Sequence, residues 1–513
     1  MGRDAVVCNN NNNKHNDYEE KPQWQVSSII LVRPYAKETD LWQVEALERR
    51  CAAGLAGGGA SSSSSTLFVD LLGDPVCRVR HLPVYTMLVA EISGDDHRRS
   101  SSCKQIVGVL RAGVKDVVCG TKKIVTVAAA AASVDQQQQQ QKQLENAATA
   151  AAATTVEVPV YARVGYLLGL RVCPSHRKMG IAKKLVKNME EWCKDQQAEY
   201  VYMATEKDNE ASVKLFTESL NYMRFRTPVI LVDPVFLRDR PLPPDVRLTK
   251  LSVEGATALY RATMGSTEFF PKDIHSVLGN ELCAGTWVAT FADEKQQLMS
   301  SSCATAPAGL MQNSTMISTS SAISWAMVSI WRTNEVFKFE QKGASWGIRT
   351  LASASRWLEW LLYPWLLIPS IPNFFKSSFG FQFMFGLHSQ GARGHDLLNA
   401  LCWHAHNTAR KHGCQAVATE VAASDPARSC IPHWERLSSC EDLWCIKRIG
   451  TTTTTSPPPP PILHSNSVAA AAAAATDHHR HQEPEDFDNT QWWCKSPSPR
   501  ELQSKLFVDP REV

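Results

Sequence analysis

Gly169-Leu170-Arg171-Val172-Cys173-Pro174-Ser175-His176-Arg177-Lys178-Met179-Gly180-Ile181-Ala182 is the stretch that decides the fold. The apolar run VYARVGYLLGLRV reads as a strand that enters a turn at Pro174. From Gly180 the period becomes helical, with Ile181, Leu185, Met189 and Trp192 on one face. The unpaired N–H groups of the first helical turn and the positive end of the helix dipole point into the intervening loop, which makes it an anion site. Gly180 lets the backbone approach a pyrophosphate closely, and Ala182 keeps the first turn uncrowded. Arg177, Lys178, Lys183, Lys184 and Lys187 add positive charge.

Working outward, the pattern around this stretch predicts a mixed α/β (α+β) unit. Upstream, IILVR reads as a strand and LWQVEALERRC as a helix, followed by the β-type segments TLFVDLL, VYTMLVAEIS and KQIVGVLRAGV. Downstream, YVYMATE reads as a strand, NEASVKLFTESL as a helix and FRTPVILV as a final strand. This block spans 28–233. A second, 245–449, again opens with a strand and a helix, and carries ISWAMVSIWR, FQFMFGLH, DLLNALCWHAHNTARKHG and CQAVATEV. Gly180 and Gly394 are separated by the same distance as Glu206 and Glu420, which suggests an internal repeat, although the apolar stripes of the two helices fall out of phase by about two positions.

Homopolymer runs cannot bury enough apolar surface to offset their ordering entropy. Residues 1–27 are therefore expected to be disordered, as are inserts near 54–65, 93–103 and 128–153 and a low-complexity tail over 450–513. Of the 513 residues, 44% are hydrophobic, enough for more than one core, and a formal charge of +3 offers no field for a polyanion, so direct nucleic-acid binding is not expected. The 15 cysteines show no zinc-type spacing and read as reduced thiols. The first residues lack an apolar signal core, which places the chain in the nucleus or cytoplasm. The aromatic run from Trp357 to Pro372 is interrupted by Glu359 and three prolines and is too short to span a membrane, so it reads as an amphipathic element covering the second core or meeting a partner. His388, His404, His406 and His412 have no metal-ligand spacing, and no metal is expected.

The pattern P-x-x-R-x-x-G-x-A between a strand and a helix resembles the coenzyme A loop of the GNAT N-acetyltransferases. Asn209-Glu210-Ala211, followed by Leu215-Phe216 and Leu220-Asn221-Tyr222, resembles that family's second motif. TEFFPKDI, FGLH, IPHW and EDLWCIKR in the second block narrow the resemblance to the HOOKLESS-type plant proteins, in which a GNAT domain precedes a C-terminal domain. The resemblance implies acetyl-CoA as co-substrate, a primary amine (a protein lysine, as in histones, or a small amine) as acceptor, and a nuclear role in hormone-responsive growth. It also implies that the backbone of Leu170 and Val172 meets the pantetheine arm, that a backbone N–H near Val172 faces the thioester oxygen, and that the amides of Lys178, Met179, Gly180, Ile181 and Ala182, beside Arg177, hold the pyrophosphate. Asn209 and Phe216 would line the pantetheine channel.

Acid–base chemistry is the open part of this expectation. Many GNAT proteins carry a carboxylate on the fourth strand, but GYLLGLRV has none; the candidates for the base are Glu206, Glu91 and His176, with Glu206 favoured. The usual general-acid tyrosine is replaced by Phe216, while a leaving thiol can depart largely as thiolate, and Tyr222 reads as packing. In the second block Gly391 falls at the place of Arg177 and Asp396 at that of Ala182, where a carboxylate would repel a pyrophosphate. That block is expected to be a degenerate GNAT-like domain that binds no coenzyme A and shapes the acceptor site or recruits protein partners. The expected function is acetyl-CoA-dependent N-acetyl transfer; the alternative is a catalytically inactive GNAT-fold scaffold.

Overall fold

The structure is a computed structural model, and it describes residues 30–51, 66–94, 103–126, 154–293, 323–343, 346–362, 374, 378–435, 437–438, 441–450 and 505–513. The homopolymer runs fall outside these residues.

Two twisted sheets face one another. The first has seven strands in the order β1-β3-β4-β5-β6-β15-β7, and the second has six in the order β8-β14-β13-β11-β10-β9. In the first sheet, β1 (Ile30–Pro34), β3 (Val84–Gly94), β4 (Cys103–Thr126) and β5 (Thr154–Val172) run antiparallel in turn, and β6 (Tyr200–Glu206) then lies parallel to β5. The second repeats the scheme with β9 (Val246–Lys250), β10 (Cys283–Phe291), β11 (Trp325–Trp331) and β13 (Phe381–Gln390), β14 (Ala416–Ala422) being parallel to β13.

The outer face of the first sheet is covered by α1 (Lys37–Glu48) and α2 (Ile181–Asp195), whose Ile181, Leu185, Val186 and Met189 are buried against Val107, Val109 and Leu167. Two short helices follow β6 and β9 respectively, α3 (Glu210–Lys214) and α4 (Val253–Met264), then α5 (Ile274–Leu278) and, further on, α6 (Trp346–Leu362). The outer face of the second sheet is covered by α7 (Gly394–Lys411). Between the sheets lies a third core, in which Tyr202, Phe269 and Trp444 meet edge-on or tilted with ring centroids 4.9–5.5 Å apart.

The two halves exchange their last strands. FRTPVILV is not one strand of the first sheet: β7 (Met223–Arg226) stays there, and β8 (Pro228–Pro234) crosses to pair with β14 of the second. The break falls at Thr227-Pro228, where proline removes a ladder donor and restricts the residue before it. In return β15 (Asp442–Arg448), which the sequence assigns to the second block, enters the first sheet between β6 and β7. The division at 233 and 245 is therefore crossed by one strand in each direction. TLFVDLL also departs from expectation: β2 (Thr66–Asp70) joins neither large sheet and pairs only with β12 (Lys338–Lys342).

The last residues of the chain depart from the expected tail. Phe507 to Glu512 are buried between the sheets; Lys115 of β4 pairs with Asp509 and Glu512, and Arg511 spans Asp509 and Asp273. Of the aromatic run, Trp357 to Leu362 end a helix, α6, and the remainder to Pro372 lies outside the described residues; in α6 Trp346, Trp357 and Trp360 are exposed, and among its described side chains Ala352 is the buried one. Among the described residues no helix is long and apolar enough to cross a membrane.

Candidate active site

The site grows from a divergence of two strands. β5 and β6 pair from Val164↔Tyr200 to Leu167↔Met203 and then part, which leaves the β6-facing edge of Leu168 to Val172 without a ladder partner. At the same point β5 carries a bulge: Val109 faces Arg171 and Arg111 faces Leu168, so Gly169 and Leu170 together stand opposite Leu110. Gly169 sits at φ +64°, and a Cβ there would meet the Arg111 guanidinium at 2.7 Å. Arg111 is fixed in turn by Glu48 at 2.8 Å. The bulge turns the backbone of Leu170 to Val172 toward the gap while their side chains pack on the α2 core.

Below this edge, Pro174–His176 forms a single 3₁₀ turn and Gly180, at φ +77°, caps α2 without any side chain to occupy its free amides. A Cβ at Gly180 would have nothing within 4 Å, so the space in front of the amides is open. Lys178 also has a positive φ, 63°, and Arg177, Lys178, Met179, Lys183, Lys184 and Lys187 are exposed around the loop. Ile181 is buried and anchors the first turn; Ala182 is half-buried. This open, amide-rich and cationic pocket fits a pyrophosphate, and the unpaired strand edge above it fits the amide-bearing arm of coenzyme A.

Of the channel residues, Asn209 accepts a hydrogen bond from the Ser212 N–H at 3.2 Å and caps α3, so its carbonyl oxygen is engaged locally. Phe216 is fully buried with its ring 5.1 Å from that of Tyr222, both in the core beneath α2.

The three candidate bases separate clearly. Glu91 is buried beside Arg33 at 2.8 Å and Lys104 at 3.4 Å; burial raises its pKa, but these cations outweigh it and hold it below the usual carboxylate range. His176 lies in the loop with Nδ1 2.9 Å from the Ser175 hydroxyl, its pKa lowered by burial and by Arg50. Glu206 ends β6 where β5 has swung away, and it is pushed up to about 7 by burial, then by Asp442 and Asp208, with Arg171 opposing. A half-buried carboxylate tuned to neutrality at the strand divergence suits a general base.

Sequence reasoning missed two residues here. Asp442 of β15 is the register partner of Glu206, and Glu420 at the end of β14 accepts a hydrogen bond from Trp444 Nε1 at 3.2 Å. Burial raises Asp442 to about 6; burial and then Asp442 hold Glu420 well above its ordinary value. Their position depends on the strand exchange, for which the sequence carries no signal.

The second half has the same framework without the openings. β13 and β14 part after Met384↔Thr419, and Gly386, at φ +63°, shares a bulge with Leu387 opposite Val328. A Cβ at Gly386 would meet the Tyr260 hydroxyl at 2.3 Å, and that hydroxyl is hydrogen-bonded to Ser329 at 2.7 Å. Ile181, Leu185, Met189 and Cys193 of α2 match buried Leu397, Leu401, Ala405 and Ala409 of α7, each 216 residues on. This corrects the glycine-to-glycine alignment by the two positions that had set the stripes out of phase. Arg393 then stands at the place of Arg177, and Asp396 at that of Gly180. The residues that form the open loop in the first half are wound into α7 in the second, and Arg393 is engaged by Asp245 at 3.1 Å and by the Phe291 ring at 3.4 Å. The histidines of this half have packing roles: His406 accepts from the Phe236 N–H at 3.0 Å, and the His404 ring meets that of Trp287 at a tilt of 57° with centroids 4.2 Å apart. Among the described residues no group of three metal-ligating side chains occurs.

A bulged strand parting from a parallel neighbour above a glycine-capped helix defines the acetyl-CoA-binding class of acyltransferases. A model of the "Acetyltransferase (GNAT) family" matches residues 143–222. The chain is 42% identical over 82% of its length to "Probable N-acetyltransferase HLS1-like" of Arabidopsis thaliana, covering 93% of that protein, and 42% identical to "Probable N-acetyltransferase HLS1" of the same plant, with the same coverage. It is 33% identical over 94% of its length to "Acetyl transferase GW6a" of Oryza sativa subsp. japonica, covering 97% of that protein. Among solved structures it is similar to a GCN5-related N-acetyltransferase from Sphaerobacter thermophilus, at 12% identity and a TM-score of 0.41, over 82% of this chain and 96% of that one. The chain belongs to the GNAT acetyltransferases, in the group of the HLS1-type plant proteins, and it is an enzyme of the acetyltransferase class.

Proposed function

We propose that the chain transfers the acetyl group of acetyl-CoA to a primary amine, with Glu206 as general base. The observation that carries this reading is the coincidence, at one strand divergence, of an open anion loop and a carboxylate tuned to about 7. Bound there, acetyl-CoA supplies the thioester carbonyl. The amides of Lys178 to Ala182 with Arg177 hold its phosphates, the edge of Leu170 and Val172 orients its arm, and a backbone N–H near Val172 faces the carbonyl oxygen. Glu206 takes the proton that an ammonium must lose before its nitrogen can attack.

The acceptor is a protein lysine or a small amine that reaches Glu206 at the strand divergence. The second half, its counterpart loop wound up and its bulge filled by Tyr260, binds no coenzyme A and shapes the acceptor side or carries protein partners. A nuclear or cytoplasmic role in hormone-responsive growth is part of the same proposal, as the resemblance to the HLS1-type proteins implies. The alternative, a catalytically inactive scaffold, rests on the missing fourth-strand carboxylate, the tyrosine replaced by Phe216 and a second half suited to contacts; in this proposal Glu206 on the adjoining strand takes the place of the carboxylate. The test is acetyl transfer from labelled acetyl-CoA to peptide and small-amine panels, read by mass spectrometry; transfer that survives in both Gly180→Glu and Glu206→Gln refutes the assignment.

A further inference from the structure

Glu206 and Asp442 stand directly opposite one another across the β6–β15 ladder. Opposed residues in an antiparallel pair share a face and lie about 5 Å apart, and like charges placed so are destabilising. Alternation fixes that face: Ala204 and Tyr202, two and four residues back along β6, and Trp444, two residues on from Asp442 along β15, all pack on the core between the sheets. Glu420, on β14 of the opposing sheet, alternates with Ala416 and Ala418 onto the same core and is tied to Trp444. The other ionisable groups that act on the pair or are acted on by it are Arg171 of β5, Asp208 after β6, Tyr166 of β5 and Glu420. Of the cations here, Arg171 lies 3.6 Å from Glu48, and Lys207 turns outward to Glu441 at 2.7 Å. No cation forms an ion pair with Asp442 among the described residues. Two carboxylates set face to face across a ladder, with no cation ion-paired to Asp442 among the described residues, carry a like-charge cost.

Building on the acetyltransferase reading, we propose that Asp442 is a positioning residue for Glu206, the two forming one proton-holding pair, so that a strand from the second half of the chain supplies part of the acid–base machinery of the first. With both groups ionised their repulsion favours uptake of one proton, and an incoming ammonium supplies it: the N–H bond breaks, Glu206 becomes the neutral acid, and the amine keeps its lone pair for attack. The pair then releases the proton to solvent, which restores the starting state. Glu420, which accepts a hydrogen bond from Trp444 on the opposing sheet, is a further carboxylate beside Asp442.

The experiment follows the Glu206 carboxyl directly, by ¹³C NMR titration of protein labelled at glutamate Cδ, with the resonance assigned by its absence in Glu206→Gln. Asp442→Asn should lower the midpoint of Glu206 by about one pH unit, since a like charge is removed. Asp442→Ser serves if the asparagine does not fold, and Asp442→Glu should restore the midpoint. In turnover, the acidic limb of kcat/KM should move to lower pH with the asparagine, whereas a merely structural role would lower the rate at every pH without moving the limb. An unmoved Glu206 midpoint overturns the pairing whether or not any amine is acetylated. Absence of turnover by the wild-type chain, with the midpoint shift intact, overturns the acetyltransferase reading instead.

Discussion

The Nζ of Lys115 lies 3.0 Å from Oδ2 of Asp509, with both side chains fully buried between the sheets. An ammonium in that position is tolerated only while its partners stay. Removing residues 505–513 strips Lys115 of Asp509 and Glu512 together and leaves the space of Phe507 empty, so the truncated chain should lose at least the roughly 3–5 kcal/mol that breaking a buried pair costs. Urea unfolding compares it with full-length protein, and Lys115→Met in the truncated chain should recover part of the loss.

Gly180→Glu should abolish acetyl-CoA binding. The substitution puts a carboxylate before the free amides of α2 and a side chain at φ +77°, a strain of about 1 kcal/mol that the fold can absorb. Titration calorimetry should give one acetyl-CoA per wild-type chain and none for the variant. A stoichiometry of two would assign a second site to the half closed by Tyr260.

Glu206→Gln should retain acetyl-CoA affinity and lose roughly 10²–10⁴-fold in kcat, the usual contribution of a positioned base. Because the carboxyl is pushed up to about 7 and acts deprotonated, wild-type kcat/KM should fall tenfold for each pH unit below that value and level off above it. Initial rates across pH 5 to 9 check the limb, which the glutamine variant should lack.

Cut between 240 and 241, the chain should yield two pieces that are insoluble alone and soluble together. Each holds a strand that the other's sheet requires, β8 for the second sheet and β15 for the first. Co-expression followed by size-exclusion chromatography should recover a one-to-one complex.

The anion loop was legible because its signals are local: Pro174, the Gly180 cap and the Ile181–Leu185–Met189 stripe lie within one strand-turn-helix. Glu206 was legible as the last residue of a short strand. Asp442 was not, because DLWCIKR reads as the same alternating strand whichever sheet receives it, and register between distant strands is fixed by packing. The docked terminus escaped for a related reason: LFVDPREV is too short to show a period and follows a long polar stretch, yet its Phe507, Asp509 and Arg511 find partners on β4 and before α5. The place of the Tyr260 hydroxyl over Gly386 is a tertiary fact that no local pattern carries.

Exchange of β8 and β15 also bears on how the protein is made. A ribosome adding about 5–20 residues per second finishes β6 roughly 10–50 s before it delivers β15, and through that interval the first sheet has an open edge along the strand that ends in Glu206. An open edge is a template for any other extended chain. The first sheet can therefore be completed only after nearly the whole polypeptide has been read.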